Sequence, residues 1–263
     1  MKLARFQHED QIRHGVVIDD ALWSISGDIF DDFEVGSRFA PLADVRLLPP
    51  VAPQSIVAVG INYPRRVTQH YAAAPGEERY HGPVIFLLPT SSVIGHLDPI
   101  IFPPQAQEIV AAGELVVVMQ KRTKAVSPDE AAAHILGYTC GNDLASPDLL
   151  RADRNQTLRA HGFDTATIMG PYIETDLAPD HLTISLRING TLATEGSTAS
   201  MIYAVPEIVS YVSQFMTLYP GDAIFMGTPM GSPVVAGDVV EVEIDGIGYL
   251  RNPVIAAPRL SND

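Results

Sequence analysis

Asp143, Asp148, Gln156, His161 and Asp164 fall within one stretch, Gly137 to Pro171, that closes on Gly170-Pro171. Polar groups gathered in loops beside strands usually line a pocket. The first part of the stretch reads as a short strand ending in Gly141-Asn142-Asp143, so Asp143 stands where a strand gives way to a loop. A carboxylate there suits a metal ligand or a catalytic group. The same spacing also suits a plainer role, with Asp143 and Asp164 accepting backbone N–H groups as turn caps. His161 brings a candidate general base, or else a hydrogen-bonded structural ring. His8, His14, His81, His96, His134 and His181 are read as structural. Glu114 opens the apolar run ELVVVM, where a buried carboxylate requires a cation, a metal or a hydrogen-bond donor. An exposed strand end would relieve Glu114 of that requirement. Arg66, Gln69 and His70 follow Asn62-Tyr63-Pro64, where a helix can start with the proline in its first turn. Arg66 and His70, four apart, then share a face.

The elements that must position these groups are mostly strands. Leu3–Phe6, Gly15–Ile18, Leu22–Ile25 and, after a polar loop, Val45–Leu48 form a small β-rich N-terminal unit over residues 1–50, closed by Pro49, Pro50 and Pro53. Residues 51–263 form the main domain. Its strands are expected at Ser55–Gly60, Val84–Leu88, Pro99–Phe102, Glu114–Met119, Leu182–Ile188, Ala223–Met226, Val239–Ile244 and Tyr249–Val254. Ser127-Pro128-Asp129-Glu130 is a capping box that starts a helix of about two turns. Asn189-Gly190 signals a hairpin. Ile208, Val209, Val212, Phe215 and Met216 repeat at helical spacing between Pro206 and Pro220-Gly221. Many strands, few helices and no strict alternation predict a β-rich α+β fold with a rolled or barrel-like sheet.

Composition excludes several function classes. With 263 residues, 46% of them apolar, the chain can bury a large core. A net charge of −14 without a basic run argues against nucleic acid or an anionic membrane as partner. The start has no apolar core of a signal peptide, and no apolar run approaches the roughly 18 residues of a membrane span. The single Cys140 rules out an intrachain disulfide and fits a reducing compartment, so a cytoplasmic protein is expected. P-loop, dinucleotide-fold glycine fingerprint, Cys-x-x-Cys and Gly-x-Ser-x-Gly motifs are missing, which argues against nucleotide use. A small-molecule substrate is expected.

Ordered segments run through the whole chain: Gly60-Ile61-Asn62-Tyr63, Val84-Ile85-Phe86-Leu87, Glu114-Leu115, Gly137-Tyr138-Thr139, Gly141-Asn142-Asp143, Phe163-Asp164-Thr165, Gly170-Pro171, Gln214-Phe215-Met216-Thr217-Leu218, Pro220-Gly221-Asp222, Gly227-Thr228-Pro229 and Leu250-Arg251-Asn252-Pro253. In this order they resemble the fumarylacetoacetate hydrolase family. The resemblance implies a mixed β-sandwich roll, a homodimer, and a pocket for Mg²⁺ or a similar ion and an enolisable dicarbonyl acid. In that site three carboxylates hold the cation, a His–Glu pair activates water and a Lys steadies charge.

This chain departs from the pattern at most of those points. Arg66 and Gln69 replace the His and Glu of the helix, Ala112 replaces one metal carboxylate, Leu88 and Pro147 replace a Lys and an Arg, and His161 replaces a second Lys. Glu114 and Asp143 remain as metal ligands of a weakened site. The resemblance then assigns catalysis to Arg66, His161 and His70, and substrate binding to Tyr63, Gln69, Leu88, Gln156, Gly227 and Thr228. The loss of charged groups favours a non-hydrolytic reaction, an isomerisation, dehydration or cyclisation of a specialised biosynthetic pathway. The two other readings are a metal-dependent acylpyruvate hydrolase, 2-oxo acid decarboxylase or dienoate isomerase, and an inactive structural paralogue.

Overall fold

The computed structural model describes residues 1–64 and 82–258. Its centre is the apolar run Gly113–Met119, in which every residue is buried. A strand apolar on both faces belongs inside a sheet covered on both sides, and this one is. It pairs antiparallel with Ile135–Asp143 on one edge and with Ala223–Phe225 on the other. The sheet continues from Ala223–Phe225 through Ile56–Gly60 to Val84–Leu88, and in the other direction through Thr167–Glu174 to the N-terminal strands.

A second, five-stranded sheet holds Thr191–Ser197, Thr183–Ile188, Val239–Ile244, Gly248–Ala256 and Ile100–Phe102. Between the sheets lies the larger core. Leu115, Val117 and Met119 of the central strand meet Ile184, Leu186, Val240 and Val242 of the second sheet, together with Ile208, Val209 and Val212 of helix Val205–Phe215. The alternate residues Val116 and Val118 face the other way, into a cluster with Ile56, Leu88, Met169 and Phe225. By the same two-residue period, Ala112 and Glu114 share that second face. Burying each large aliphatic side chain contributes about 1.5–3 kcal/mol. The fold is the β-rich α+β architecture that the pattern predicts.

Local signals act as their chemistry requires. Ser127 N–H donates to Glu130 Oε2 at 2.8 Å and starts helix Pro128–Ala131, which runs on as a tighter turn to His134. Asn189 and Gly190, with φ of 53° and 78°, make the two-residue turn between Thr183–Ile188 and Thr191–Ser197. Several elements were not expected, and two of them have a clear physical reason. The polar loop expected before Val45 contains strand Phe33–Pro41, a mostly exposed edge strand that pairs with Ala21–Gly27. Its polar residues conceal it, because an edge strand exposed on its faces carries little apolar alternation. Gly170-Pro171, expected to close the polar stretch, lies inside the buried strand Thr167–Glu174. Pro171 has no N–H for the ladder, and the register shifts between Tyr138 and Cys140 on the partner strand, where the pairing passes it.

The N-terminal strands extend the large sheet. Lys2 and Leu3 pair with Glu174 and Ile173, and the Met1 amino group bonds to Glu174 and, at 3.0 Å, to Asp176. Among the described residues no helix is long and apolar enough to cross a membrane.

Candidate active site

At the open end of the central strand pair, Gly113 faces Asn142 and Glu114 faces Gly141, so Ala112 lies across from Asp143. Two bonds fix that juxtaposition. Asp143 N–H donates to the Ala112 carbonyl at 3.1 Å, and Ala112 N–H donates to Asn142 Oδ1 at 2.8 Å. Ala112, Glu114 and Asp143 therefore point from one face of the sheet, and all three line a cavity of about 200 Å³. Its walls also hold Val59, Gly60, Ile61, Val84, Phe86, Val110, Ala145, Leu150, Asn155, Thr157, His161 and Thr228.

His161 reaches the cavity on a short helix, Leu158–His161, whose placement follows from the preceding loop. Asp148 anchors that loop. Its carboxylate accepts from Ser146 Oγ at 2.7 Å, Gln107 N–H at 3.0 Å and Glu108 N–H at 3.4 Å. Desolvation raises the Asp148 carboxyl, but these bonds outweigh it and hold the group below its ordinary range. After helix Pro147–Ala152, Arg154 and Asn155 turn the chain back in left-handed conformations, φ 53° and 66°. His161 Nδ1 then lies 3.0 and 3.1 Å from the two oxygens of Asp143. The Phe86 ring covers the imidazole, with centroids 5.0 Å apart. With Nδ1–H donating to the carboxylate, the tautomer leaves Nε2 as the basic nitrogen.

Glu114 is buried, and its Oε2 accepts from Gly227 N–H at 2.7 Å. Gly227 adopts φ 84°, and a Cβ there would come within 2.9 Å of the Val59 carbonyl and 3.0 Å of Asn62 Cβ, so the close approach requires glycine. Asn62 ties the same corner together. Its Nδ2 donates to the carbonyls of Met226 at 2.9 Å and Tyr203 at 3.1 Å, and its Oδ1 accepts from Tyr203 N–H at 2.9 Å. Between Gly60 and this clamp sits Ile61 at φ 55°. A β-branched residue in the left-handed region is a genuine outlier costing about 1–3 kcal/mol, and such strain collects at functional sites.

The other expected site residues divide. Thr228 lines the cavity, its hydroxyl donating to the Met230 carbonyl at 3.0 Å. Gln156 does not: it is exposed, and its neighbours Asn155 and Thr157 line the wall. Leu88 is buried and packs in the core cluster of Ile56 and Phe225. Tyr63 lines a different, larger cleft of about 470 Å³ with Glu195, Ser200 and Pro229. Its hydroxyl is buried with no hydrogen-bond partner among the described residues, and burial, then the Glu114 charge, pushes its pKa up. Asp164 is exposed, and Glu108 pairs with Arg151 at 2.6 Å. Arg66, Gln69 and His70 lie outside the described residues. Val84, Phe86, Ile61, Asn155 and Thr157 are cavity residues the sequence reading missed. For Val84 and Phe86 a signal existed, the two-residue spacing that puts both on one strand face.

The donor set fits a three-carboxylate cation site poorly. Ala112 presents a methyl group where such a site needs an oxygen, Asp143 is engaged on both oxygens by His161, and Glu114 Oε2 by Gly227. A hard divalent cation binds six or more oxygens. Among the described residues no three His, Cys, Asp or Glu side chains converge into a metal site. The arrangement is instead an Asp–His pair at the edge of a largely apolar cavity, which can accept and return a proton.

Comparison with known proteins places this geometry. Residues 55–255 match the family description "Fumarylacetoacetate (FAA) hydrolase C-terminal", and residues 1–50 match "Rv2993c-like, N-terminal". The human mitochondrial oxaloacetate tautomerase FAHD2A is 35% identical, over 82% of this chain and 71% of its own. The crystal structure of 5-carboxymethyl-2-hydroxymuconate delta-isomerase from Mycobacterium smegmatis is 35% identical, with a TM-score of 0.88 over 97% of this chain and 100% of that one. Maleylpyruvate hydrolase from Sphingobium sp. SYK-6, solved with manganese(II) and pyruvate, is 26% identical, with a TM-score of 0.81 over 98% of this chain and 100% of that one.

Proposed function

Since this chain belongs to the fumarylacetoacetate hydrolase family, we propose that it is an enzyme that moves a proton on an enolisable 2-oxo or 1,3-dicarbonyl acid without hydrolysing it. The observation that carries this reading is the contact of His161 Nδ1 with both oxygens of Asp143 inside the cavity. Asp143 fixes the tautomer and stabilises the imidazolium that forms. Nε2 takes the proton from the carbon beside the carbonyl; the C–H bond pair becomes the C=C bond and the carbonyl π pair moves onto oxygen, giving the enolate. Thr157 and Asn155, on the same wall, offer a hydroxyl and an amide to that oxygen. Returning the proton to oxygen gives the enol, and to a conjugated carbon the shifted double bond. The tautomerase and isomerase relatives support both outcomes as family chemistry. The replacement of the water-activating pair by Arg66 and Gln69 supports the loss of hydrolysis.

The test is to follow the enol absorbance of oxaloacetate and of acylpyruvates with purified protein, with and without EDTA, while assaying pyruvate and the free acid. Loss of the absorbance without cleavage products, unchanged by EDTA, is expected. Metal-dependent release of pyruvate would replace this reading with that of an ordinary hydrolase of the family.

A further inference from the structure

The cavity's chemistry is lopsided. Its polar groups, Asp143, His161, Glu114, Thr228, Asn155 and Thr157, sit on the central strands and the loops beside them, whereas Val84, Phe86 and Ile61 come from the pair of strands at the sheet's end. Gly60 is paired with Val84 and Ala58 with Phe86, so Val84 and Phe86 share one strand face, and Ile61 follows Gly60 at the cavity margin. Phe86 in turn covers His161. Ile61 holds its place in a backbone conformation that β-branched residues avoid, φ 55°. Asn62 fixes the chain immediately after it by three side-chain hydrogen bonds. A glycine or asparagine would take that conformation with less strain. A strained hydrocarbon side chain on the wall of a reaction cavity points to a role for the side chain itself.

We propose that Ile61 is the specificity-determining residue of this cavity: with Val84 and Phe86 it forms an apolar subsite for the substituent of the acid, selecting an alkyl or aryl group over a second carboxylate. This rests on the proton-transfer reading above for the position of the reacting carbon, whereas the selectivity is a property of binding. An acid carrying a second carboxylate would have to leave that charge against the hydrocarbon wall, which costs far more than it returns. An apolar substituent gains there by leaving water.

The test compares binding of phenylpyruvate and oxaloacetate by calorimetry to wild-type protein, Ile61→Leu and Ile61→Asn, with melting curves showing that each variant is folded. Leucine keeps a hydrocarbon of equal size, and asparagine keeps the left-handed backbone while replacing hydrocarbon with an amide. Wild-type protein should bind phenylpyruvate more tightly than oxaloacetate. Ile61→Asn should shrink that ratio by about tenfold or more, within the range that a change of pocket polarity yields, and Ile61→Leu should leave it within about threefold. If the ratio moves this way and neither acid exchanges its C3 protons, the enolisation reading fails and the subsite stands. A wild-type preference for oxaloacetate, no saturable binding of phenylpyruvate, or an unchanged ratio in folded Ile61→Asn would overturn the proposal.

Discussion

Asp143 and His161 touch directly, Nδ1 lying 3.0 Å from the carboxylate, and on the proposed reading the opposite nitrogen takes the proton. Replacing His161 by Ala should lower turnover by about 10²–10⁴, the usual contribution of a positioned base. Asp143→Asn should come close to it, because an amide can neither select the tautomer nor balance an imidazolium. Steady-state rates on an oxo acid that wild-type protein turns over would check both. Ala112 makes the complementary case. Standing across from Asp143 and two residues from Glu114, it is the position where a carboxylate would complete three anionic donors on one face. Ala112→Glu should lower the melting temperature in EDTA, through repulsion among three carboxylates, and restore it with Mn²⁺. At a hundred times its Kd a ligand stabilises by about 2.7 kcal/mol, a shift readily seen by calorimetry. A melting curve insensitive to Mn²⁺ would show that residue 112 does not limit metal binding. Much of this was legible in the sequence: Asp143 at a strand end and His161 on the same stretch stood out by residue type. Their direct contact did not, since nothing local announces that a loop will return the ring onto the carboxylate.

Two elements hold that contact in place, the central strand pair and the loop before His161. Gly141, opposite Glu114, has no room for a side chain: a Cβ would lie 2.4 Å from Val116 Cγ2 and 2.6 Å from Phe225 Cε1. Gly141→Ala should therefore destabilise the protein by about 1–3 kcal/mol, the usual cost of overpacking, measurable by chemical denaturation. The loop depends on Asp148, whose folded pKa is depressed, so its stabilisation is present above the unfolded value of about 3.9 and is lost as pH falls through the lower folded value. Asp148→Asn should accordingly melt below wild-type protein at pH 7, with the gap closing as the pH drops below about 4. A gap constant across that range would mean that the carboxylate's charge plays no part. The strands of this region were readable from their apolar runs. Thr167–Glu174 was not, because an internal proline reads as a break and only its partner strand shows where the register adapts.

On the scale of the molecule, the two larger sheets and, among the described residues, the helix Val205–Phe215 close around the main core. The hydrophobic pattern specified many of the strands, since buried strands must be apolar whatever the site does. The edge strand Phe33–Pro41, exposed and polar, escaped for the same reason. The site is less legible because the residues that line it, such as Ala112 and His161, can change without changing the fold. Chemistry and architecture are thus set by different residues, and membership of the family does not fix what this member does to its substrate. The central claim is that His161, held by Asp143, transfers a proton without help from a metal. Its most direct measurement is deuterium incorporation at C3 of a 2-oxo acid, followed by proton NMR in D₂O containing EDTA, for wild-type protein and His161→Ala. Wild-type protein should accelerate exchange over buffer with EDTA present, and the variant should lose most of that acceleration. Exchange that vanishes on adding EDTA, or survives undiminished in His161→Ala, would contradict the account.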